Sequence, residues 1–282
     1  MIRRFFIHLG LISIFICTTL ALAFVFGLCF FAAPVPVSTA ATNPTVMLIP
    51  LDSRPPCTDY VKSIAGMAGM NVIMPPREIL DDYRKPGDIA AIRSWALQNI
   101  AQTDSVILSM DMLIHGGLLA SRQATDTEYE TEASLQLVLE LHARKPDAKI
   151  YAFSIIPRLF IADNPTTEKY KQSMAEWSTL QDTVALFENP VDIGKLQKLE
   201  NQIPFQIRER YRKLYSNNSE LNRRLIELTR NGTLTALVVG QDDSTPFGLG
   251  NLERRRIENE TAKDPLLQKK VFVTRGTDEV AL

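Results

Sequence analysis

Short runs of β-branched and aliphatic residues recur along this chain, and four of them end on acidic residues. Each run has the length of a buried β-strand. The four runs are VMLIPLD ending at Asp52, SVILSMD ending at Asp111, ALVVGQDD ending at Asp242 and Asp243, and KVFVTRGTDE ending at Asp278 and Glu279. Because parallel strands bring their carboxyl ends to one edge of a sheet or one mouth of a barrel, these acids are expected to lie together. That edge is where α/β proteins place their active sites.

Helix-like segments separate the strand-like runs. The strand-like intervals are 45–51, 71–74, 105–110, 149–155, 234–239 and 271–274. The alternation predicts an α/β fold in which helices cover a mostly parallel sheet. The leading interpretation is the first six units of a (β/α)8-type barrel, and the alternative is an open doubly wound sheet.

The connection between the fourth and fifth strand-like runs is unusually long. It extends from about residue 166 to 230, is charged and amphipathic, and contains no strand-like run. Connections in α/β proteins are normally only a few residues long. We therefore predict a helical insertion within an α/β domain that spans residues 44–282.

Residues 1–41 have the features of a targeting or anchoring segment. Arg3 and Arg4 precede an almost uncharged run, Phe5 to Ala33, and small residues follow as far as Ala41. This pattern predicts a signal peptide, although the run is also long enough to cross a bilayer as an uncleaved helix. The protein is expected to be exported, or anchored at the outer face of the cytoplasmic membrane.

Charge and motif content narrow the possible chemistry. The net charge is -1 and no basic stripe or tail is present, which argues against nucleic acid as a partner. The chain has no glycine-rich phosphate loop, nucleophile elbow, His-x-x-x-His pair or Cys-x-x-Cys pair. We expect a small-molecule or glycan substrate, carboxylate chemistry and no cofactor, with Mg²⁺ or Ca²⁺ as the alternative.

The adjacent acids Asp242 and Asp243 are the predicted catalytic residues. Two neighbouring carboxylates repel each other, so one can stay protonated as a general acid while the other stays charged. Such a division suits glycoside cleavage. The alternative is a structural one, in which Asp243 or Ser244 forms a turn and caps the next helix.

The predicted substrate-binding residues are acids and arginines that follow the strand-like runs. They are Asp52, Arg54, Asp111, Arg122, Arg158 and Asp278. The alternative is that the acids cap helices and the arginines pair with them. His115 could titrate near neutral pH, or could be a partly buried histidine that is hydrogen-bonded to backbone.

Several longer motifs resemble the bacterial family known as domain of unknown function 4127. They are Pro50–Pro55, Pro75–Glu78, Arg84–Asp88, Ser109–Arg122, Tyr151–Ser154, Gly240–Ser244 and Gly276–Val280. The resemblance covers nearly everything after residue 41 and implies a member that is short at its C terminus. It implies no particular activity, because the family is defined without one.

The sequence thus predicts an exported hydrolase that acts on a carbohydrate or other cell-envelope substrate. Asp242 and Asp243 would share the acid and orienting roles. Two alternatives remain open at this point. One is a hydrolase that uses Asp52, Asp111 and Asp243 as oxygen ligands for Mg²⁺ or Ca²⁺. The other is a non-catalytic extracytoplasmic protein that binds a polar ligand.

Overall fold

A single sheet of six parallel strands organises the protein. The structure is a computed structural model that describes residues 43–83, 85–122, 127–158, 168–242 and 245–277. The strands are β1 (Thr45–Ile49), β2 (Asn71–Ile73), β3 (Ser105–Ser109), β4 (Lys149–Ile156), β5 (Ala236–Gln241) and β6 (Val271–Arg275). Every pair of neighbouring strands is parallel.

The strand order β2-β1-β3-β4-β5-β6 makes this an open, doubly wound sheet. The predicted α/β class is confirmed, and the open arrangement is the one that the structure adopts. A barrel would pair each strand with the next one along the chain. Here the chain leaves β2, crosses β1 and adds β3 on the far side, so β2 and β6 remain as edges. Both arrangements share the same alternation of strands and helices, and the order was not evident from the pattern alone.

Helices connect all the strands. The helices are α1 (Asp59–Met67), α2 (Ile89–Asn99), α3 (Met110–His115), α4 (Leu118–Ser121), α5 (Glu128–Arg144), α6 (Lys171–Phe187), α7 (Pro190–Gln202), α8 (Phe205–Arg230) and α9 (Leu249–Ala262). Local sequence explains several of their ends. Asp88 caps α2 by accepting the Ala91 N–H (3.0 Å), and Asn189 caps α7 just before Pro190.

The main apolar core lies between one face of the sheet and the helices from α2 onwards. Because crossovers between parallel strands are right-handed, the direction in which the chain moves along the sheet decides which face a helix covers. From β2 to β6 the chain moves in one direction, and α2, α5, α8 and α9 lie on this face. From β1 to β2 it moves in the opposite direction, so α1 lies on the other face. Fully buried helix residues in this core include Ile92, Val138, Leu225 and Ile257. Each such side chain contributes roughly 1.5–3 kcal/mol by leaving water.

The opposite face has a much smaller apolar cluster. It consists of Leu51, Cys57, Leu118, Phe153 and Ile155. Three of these residues come from the segments that follow β1 and β3, so the cluster covers the carboxyl end of the sheet. Farther along this face, Phe272 of β6 is 51% exposed. The carboxyl edge of the sheet is therefore the better packed part of this face.

None of the helices within the described ranges is long and apolar enough to cross a membrane. The run from Phe5 to Ala33, predicted to be a leader or anchor, lies outside those ranges. The prediction about export rests on sequence alone.

Candidate functional site

The carboxyl ends of β1, β3, β4 and β5 collect charged side chains in two groups. The first group, at the end of β1, consists of Asp52, Arg54 and Asp81. The second group, at the ends of β3 to β5, consists of Asp111, Arg122, Arg158 and Asp242. Ligands of doubly wound sheets bind outside this edge, at the point where the strand order reverses. Here that point lies between β1 and β3.

In the first group, Asp52 holds Arg54 in a fixed position. Arg54 donates to Asp52 Oδ2 from Nε (2.9 Å) and Nη2 (2.7 Å), and its backbone N–H donates to Asp52 Oδ1 (3.1 Å). The Asp52 side chain is 6% exposed and the Arg54 side chain 41% exposed. The buried acid thus presents the arginine at the edge of the sheet. The alternative in which the acids pair with the arginines holds for these two residues.

Asp81 is a member of the first group that the sequence did not reveal. Its Oδ1 accepts the Ser53 N–H at 2.6 Å, and Arg77 donates to the Ser53 carbonyl at 2.9 Å. Burial, with a smaller contribution from the charge of Asp52, raises the pKa of Asp81. Asp81 follows β2 only after an intervening 3₁₀ turn, so it does not share the pattern of an acid directly after a strand.

An open cleft of about 680 Å³ lies beside Asp81. Its walls carry side chains of both charges, including Arg77, Glu78, Asp82 and Lys85. A cleft of this size is large enough for a small molecule or a sugar unit. The first group therefore borders a space that a polar ligand can enter.

In the second group, Asp242 lies between two arginines. Its Oδ2 accepts from Arg122 Nε (2.8 Å) and Arg158 Nε (3.1 Å), and Arg122 Nη2 is 2.6 Å from the same oxygen. Its Oδ1 accepts from Arg158 Nη2 (3.2 Å). The Asp242 side chain is 3% exposed, whereas that of Arg158 is 43% exposed. Both oxygens of Asp242 act as acceptors, and neither is placed to donate a proton.

Asp111 is the buried acid of the second group. It lies in the first turn of α3, where the chain turns away from β3 after Ser109, whose side chain caps the helix. Its Oδ2 accepts the Ile155 N–H of β4 at 3.0 Å, in place of the backbone acceptor that a longer β3 would supply. Burial raises the pKa of Asp111 to about 7, and the nearby charge of Asp242 adds to the effect.

A glycine turn connects the two groups. Gly116 ends α3 with φ +78°, and a Cβ at this position would lie 2.8 Å from the backbone nitrogen of Gly87. Gly117 has φ +132°, and its own Cβ position would lie 3.3 Å from the Asp81 carboxyl carbon. Glycine permits both the positive φ values and the close approach. The turn therefore brings the loop after β2 against the loop after β3.

His115 lies beneath the second group, not on its surface. Together with Asp111, Thr131, Asn217 and Asn218, it lines a cavity of about 20 Å³, which is room for about one water molecule. Burial lowers the pKa of His115 to about 4, and its Nδ1 has no hydrogen-bond partner among the described residues. His115 is therefore neutral at pH 7 and does not titrate in the neutral range.

Two predicted site residues, Asp243 and Asp278, lie outside the described ranges, as does Glu279. Within those ranges, no three His, Cys, Asp or Glu side chains form a group that could hold a metal ion. The predicted Mg²⁺ or Ca²⁺ set includes Asp243, so it stays a prediction. Of the other predicted site residues, the structure brings Asp111, Arg122, Arg158 and Asp242 together, and it pairs Asp52 with Arg54.

Comparison with known proteins gives a family and no activity. No curated protein and no solved structure matches the chain. A family model described as "Protein of unknown function (DUF4127)" matches residues 46–282. This match includes all six strands and all the helices described above, apart from the first residue of β1, and the chain belongs to the DUF4127 family.

Proposed function

We propose that the chain is an exported hydrolase that acts on a carbohydrate or other cell-envelope substrate by carboxylate acid–base chemistry. The apolar run near the N terminus supports export or anchoring at the outer face of the membrane. The open cleft beside Asp81 and the charged groups at the edge of the sheet support a polar substrate. The hydrolytic chemistry is proposed from the carboxyl groups at this edge.

The observation that carries this proposal is the environment of Asp111. Efficient proton transfer needs a group whose pKa lies near the working pH. Burial gives Asp111 a pKa of about 7, in a group that also contains Asp242 and two arginines. Perturbed acids of this kind are concentrated at functional sites. We assign Asp111 the role of proton donor.

Asp242 takes the orienting role in this proposal. Because both of its oxygens accept guanidinium N–H groups, it holds Arg122 and Arg158 at the edge of the sheet. The role of proton acceptor from water is left for a second carboxylate, and Asp243 is the sequence candidate. Hydrolysis then proceeds as Asp111 protonates the leaving-group oxygen and the bond between that oxygen and the substrate carbon breaks. Water gives a proton to the second carboxylate and forms the new bond to that carbon.

Turnover of a glycoside and glycopeptide library tests the proposal. The Asp111→Asn variant is expected to lose turnover, since Asn has no acidic proton at neutral pH. The control is Asp192→Asn, which changes an acid in the first turn of α7, away from the site. The wild-type rate should fall as pH rises through about 7, because Asp111 then loses its proton. Turnover by Asp111→Asn that equals that of wild type would remove Asp111 from the mechanism.

A non-catalytic binding protein is the second candidate function. The contacts of Asp242 favour it, because both of its carboxylate oxygens accept hydrogen bonds from arginines. Such an arrangement presents positive charge to a ligand. A ligand that binds at this edge with no turnover, and binds equally well to Asp111→Asn, would support this second function over the first.

A further inference from the structure

The two arginines around Asp242 leave part of their hydrogen-bonding capacity unused. Each contacts Asp242 through its Nε and Nη2 atoms, which form one edge of the guanidinium group. Among the described residues, no acceptor lies within hydrogen-bonding distance of Nη1 in either arginine. A guanidinium carries N–H groups along a second edge that matches the spacing of two carboxylate or phosphate oxygens. Among the described residues, that second edge has no partner in Arg122 or in Arg158.

Charge and exposure favour a ligand at this second edge. One carboxylate faces two guanidinium groups, so the trio of Asp242, Arg122 and Arg158 carries a net positive charge. Asp242 is buried beneath the pair, and Arg158 is 43% exposed at the sheet edge. The Arg122 side chain is 14% exposed, so Arg158 is the arginine that a ligand at this edge would meet first. The same arrangement recurs at β1, where buried Asp52 holds the half-exposed Arg54.

We propose that Arg122 and Arg158 form a binding site for an oxyanion group of the ligand, a carboxylate, a phosphate or a sulfate. Asp242 is a positioning residue in this site, because it acts through the arginines and does not contact the anion. The substrate of the proposed hydrolase would then be acidic. The oxyanion site rests on the proposed function only for its location at this edge of the sheet. The binding step itself needs no catalysis.

Sulfate is a suitable probe, because its charge does not change between about pH 5 and pH 9. The full chain, kept in a neutral detergent, would be titrated with sodium sulfate by isothermal calorimetry at constant ionic strength. Wild type is expected to bind with a dissociation constant on the order of 1 mM, as for a small isolated anion. Arg158→Gln is expected to weaken binding about tenfold or more, because it removes a charged hydrogen-bond donor.

The matched control is Arg223→Gln on α8. Arg223 is 51% exposed and pairs with one glutamate, Glu220. Its exposure is similar to that of Arg158, but it lies outside the proposed site. Arg158→Lys keeps the charge and loses the forked geometry, and it should bind sulfate between wild type and Arg158→Gln. Circular dichroism confirms folding, and if Arg158→Gln fails to fold, Arg158→Lys supplies the comparison.

Equal sulfate affinity in wild type and in both Arg158 variants would overturn the proposal. An equal loss in the Arg223→Gln control would overturn it too, because binding would then reflect general surface charge. The proposed hydrolase can fail separately. Sulfate binding that depends on Arg158, without turnover of any library member, keeps the oxyanion site and removes the hydrolase. Turnover that depends on Asp111, with sulfate affinity that does not depend on Arg158, removes the oxyanion site and keeps the hydrolase.

Discussion

Replacement of Asp111 by Asn is expected to change the way in which stability depends on pH. Burial raises the pKa of Asp111 from 3.8 to about 7 in the folded protein. Between these values the folded protein keeps a proton that the unfolded chain has released. The stabilisation from this proton is therefore fully present below 3.8 and is lost as pH rises through about 7.

The magnitude follows from the size of the pKa shift. A rise of roughly three pKa units corresponds to roughly 4 kcal/mol of unfolding free energy, taken as an upper bound. Asn is neutral at every pH, and its oxygen can still accept the Ile155 N–H that Asp111 accepts. Part of this change falls below pH 4.5, so the unfolding free energy of Asp111→Asn, relative to that of wild type, should rise by up to about 3 kcal/mol between pH 4.5 and pH 8.

Several charged or titratable groups surround Asp111 and have to be considered. His115 comes from α3, Arg122 follows α4, Arg158 follows β4, and Asp242 follows β5. The residues of α8 that line the adjacent cavity are uncharged. Because the pKa of His115 is lowered to about 4, His115 stays neutral across most of the pH range of the experiment.

Urea unfolding of both proteins, followed by circular dichroism at several pH values, measures the difference directly. The control is Asp264→Asn, since Arg230 lowers the pKa of Asp264. The stabilisation from Asp264 is lost only as pH falls below 3.8, so the control difference should stay flat between about pH 4.5 and pH 8. A flat difference for Asp111→Asn, or one that falls with pH, would refute the account of its burial.

Four further substitutions test the site and the packing of the fold, each by urea unfolding. Asp242→Asn should lower the unfolding free energy by roughly 2–4 kcal/mol, because it leaves two guanidinium groups without their counter-ion. Gly116→Ala should lower the unfolding free energy by roughly 2 kcal/mol or more, because φ is +78° and Gly87 is too close for a Cβ. Its control is Gly194→Ala in α7, where a Cβ has open space, and this change should raise the unfolding free energy by about 0.5–1 kcal/mol. Asp182→Asn should cost roughly 2 kcal/mol, because this fully buried acid caps α9 at 2.9 Å and pairs with an arginine.

The strands and most long helices could be predicted because their signals are local. The predicted interval 149–155 corresponds to β4, and the interval 271–274 to β6, each within one residue of the observed ends. The helical insertion predicted at about 166–230 contains α6, α7 and α8. The position of β2 outside β1 depends on the direction in which the chain crosses the sheet. No local sequence pattern encodes that direction.

The short helices α3 and α4 were not predicted, and the first residue of α3, Met110, was assigned to the preceding strand. The predicted strand extends to Met110, but Ser109 caps a helix and β3 ends there. The partners of Asp242 were also hidden from local patterns, since Arg122 and Arg158 lie 120 and 84 residues away along the chain. The sequence placed these residues at one edge, and the structure shows which of them contact each other.

The early end of β3 explains why Asp111 is the unusual acid of this site. If β3 continued for another two residues, its backbone would accept the Ile155 N–H and the side chain at position 111 could face solvent. Because the chain turns into α3 after Ser109, the Asp111 carboxylate takes that hydrogen bond and is buried beside Asp242. The hydrogen bond alone would lower its pKa, so burial has to outweigh it to give a value of about 7. The same helix α3 leads into Gly116 and Gly117, which pack against Gly87 and Asp81 of the loop after β2. The early end of β3 thus accounts for both the burial of Asp111 and its raised pKa.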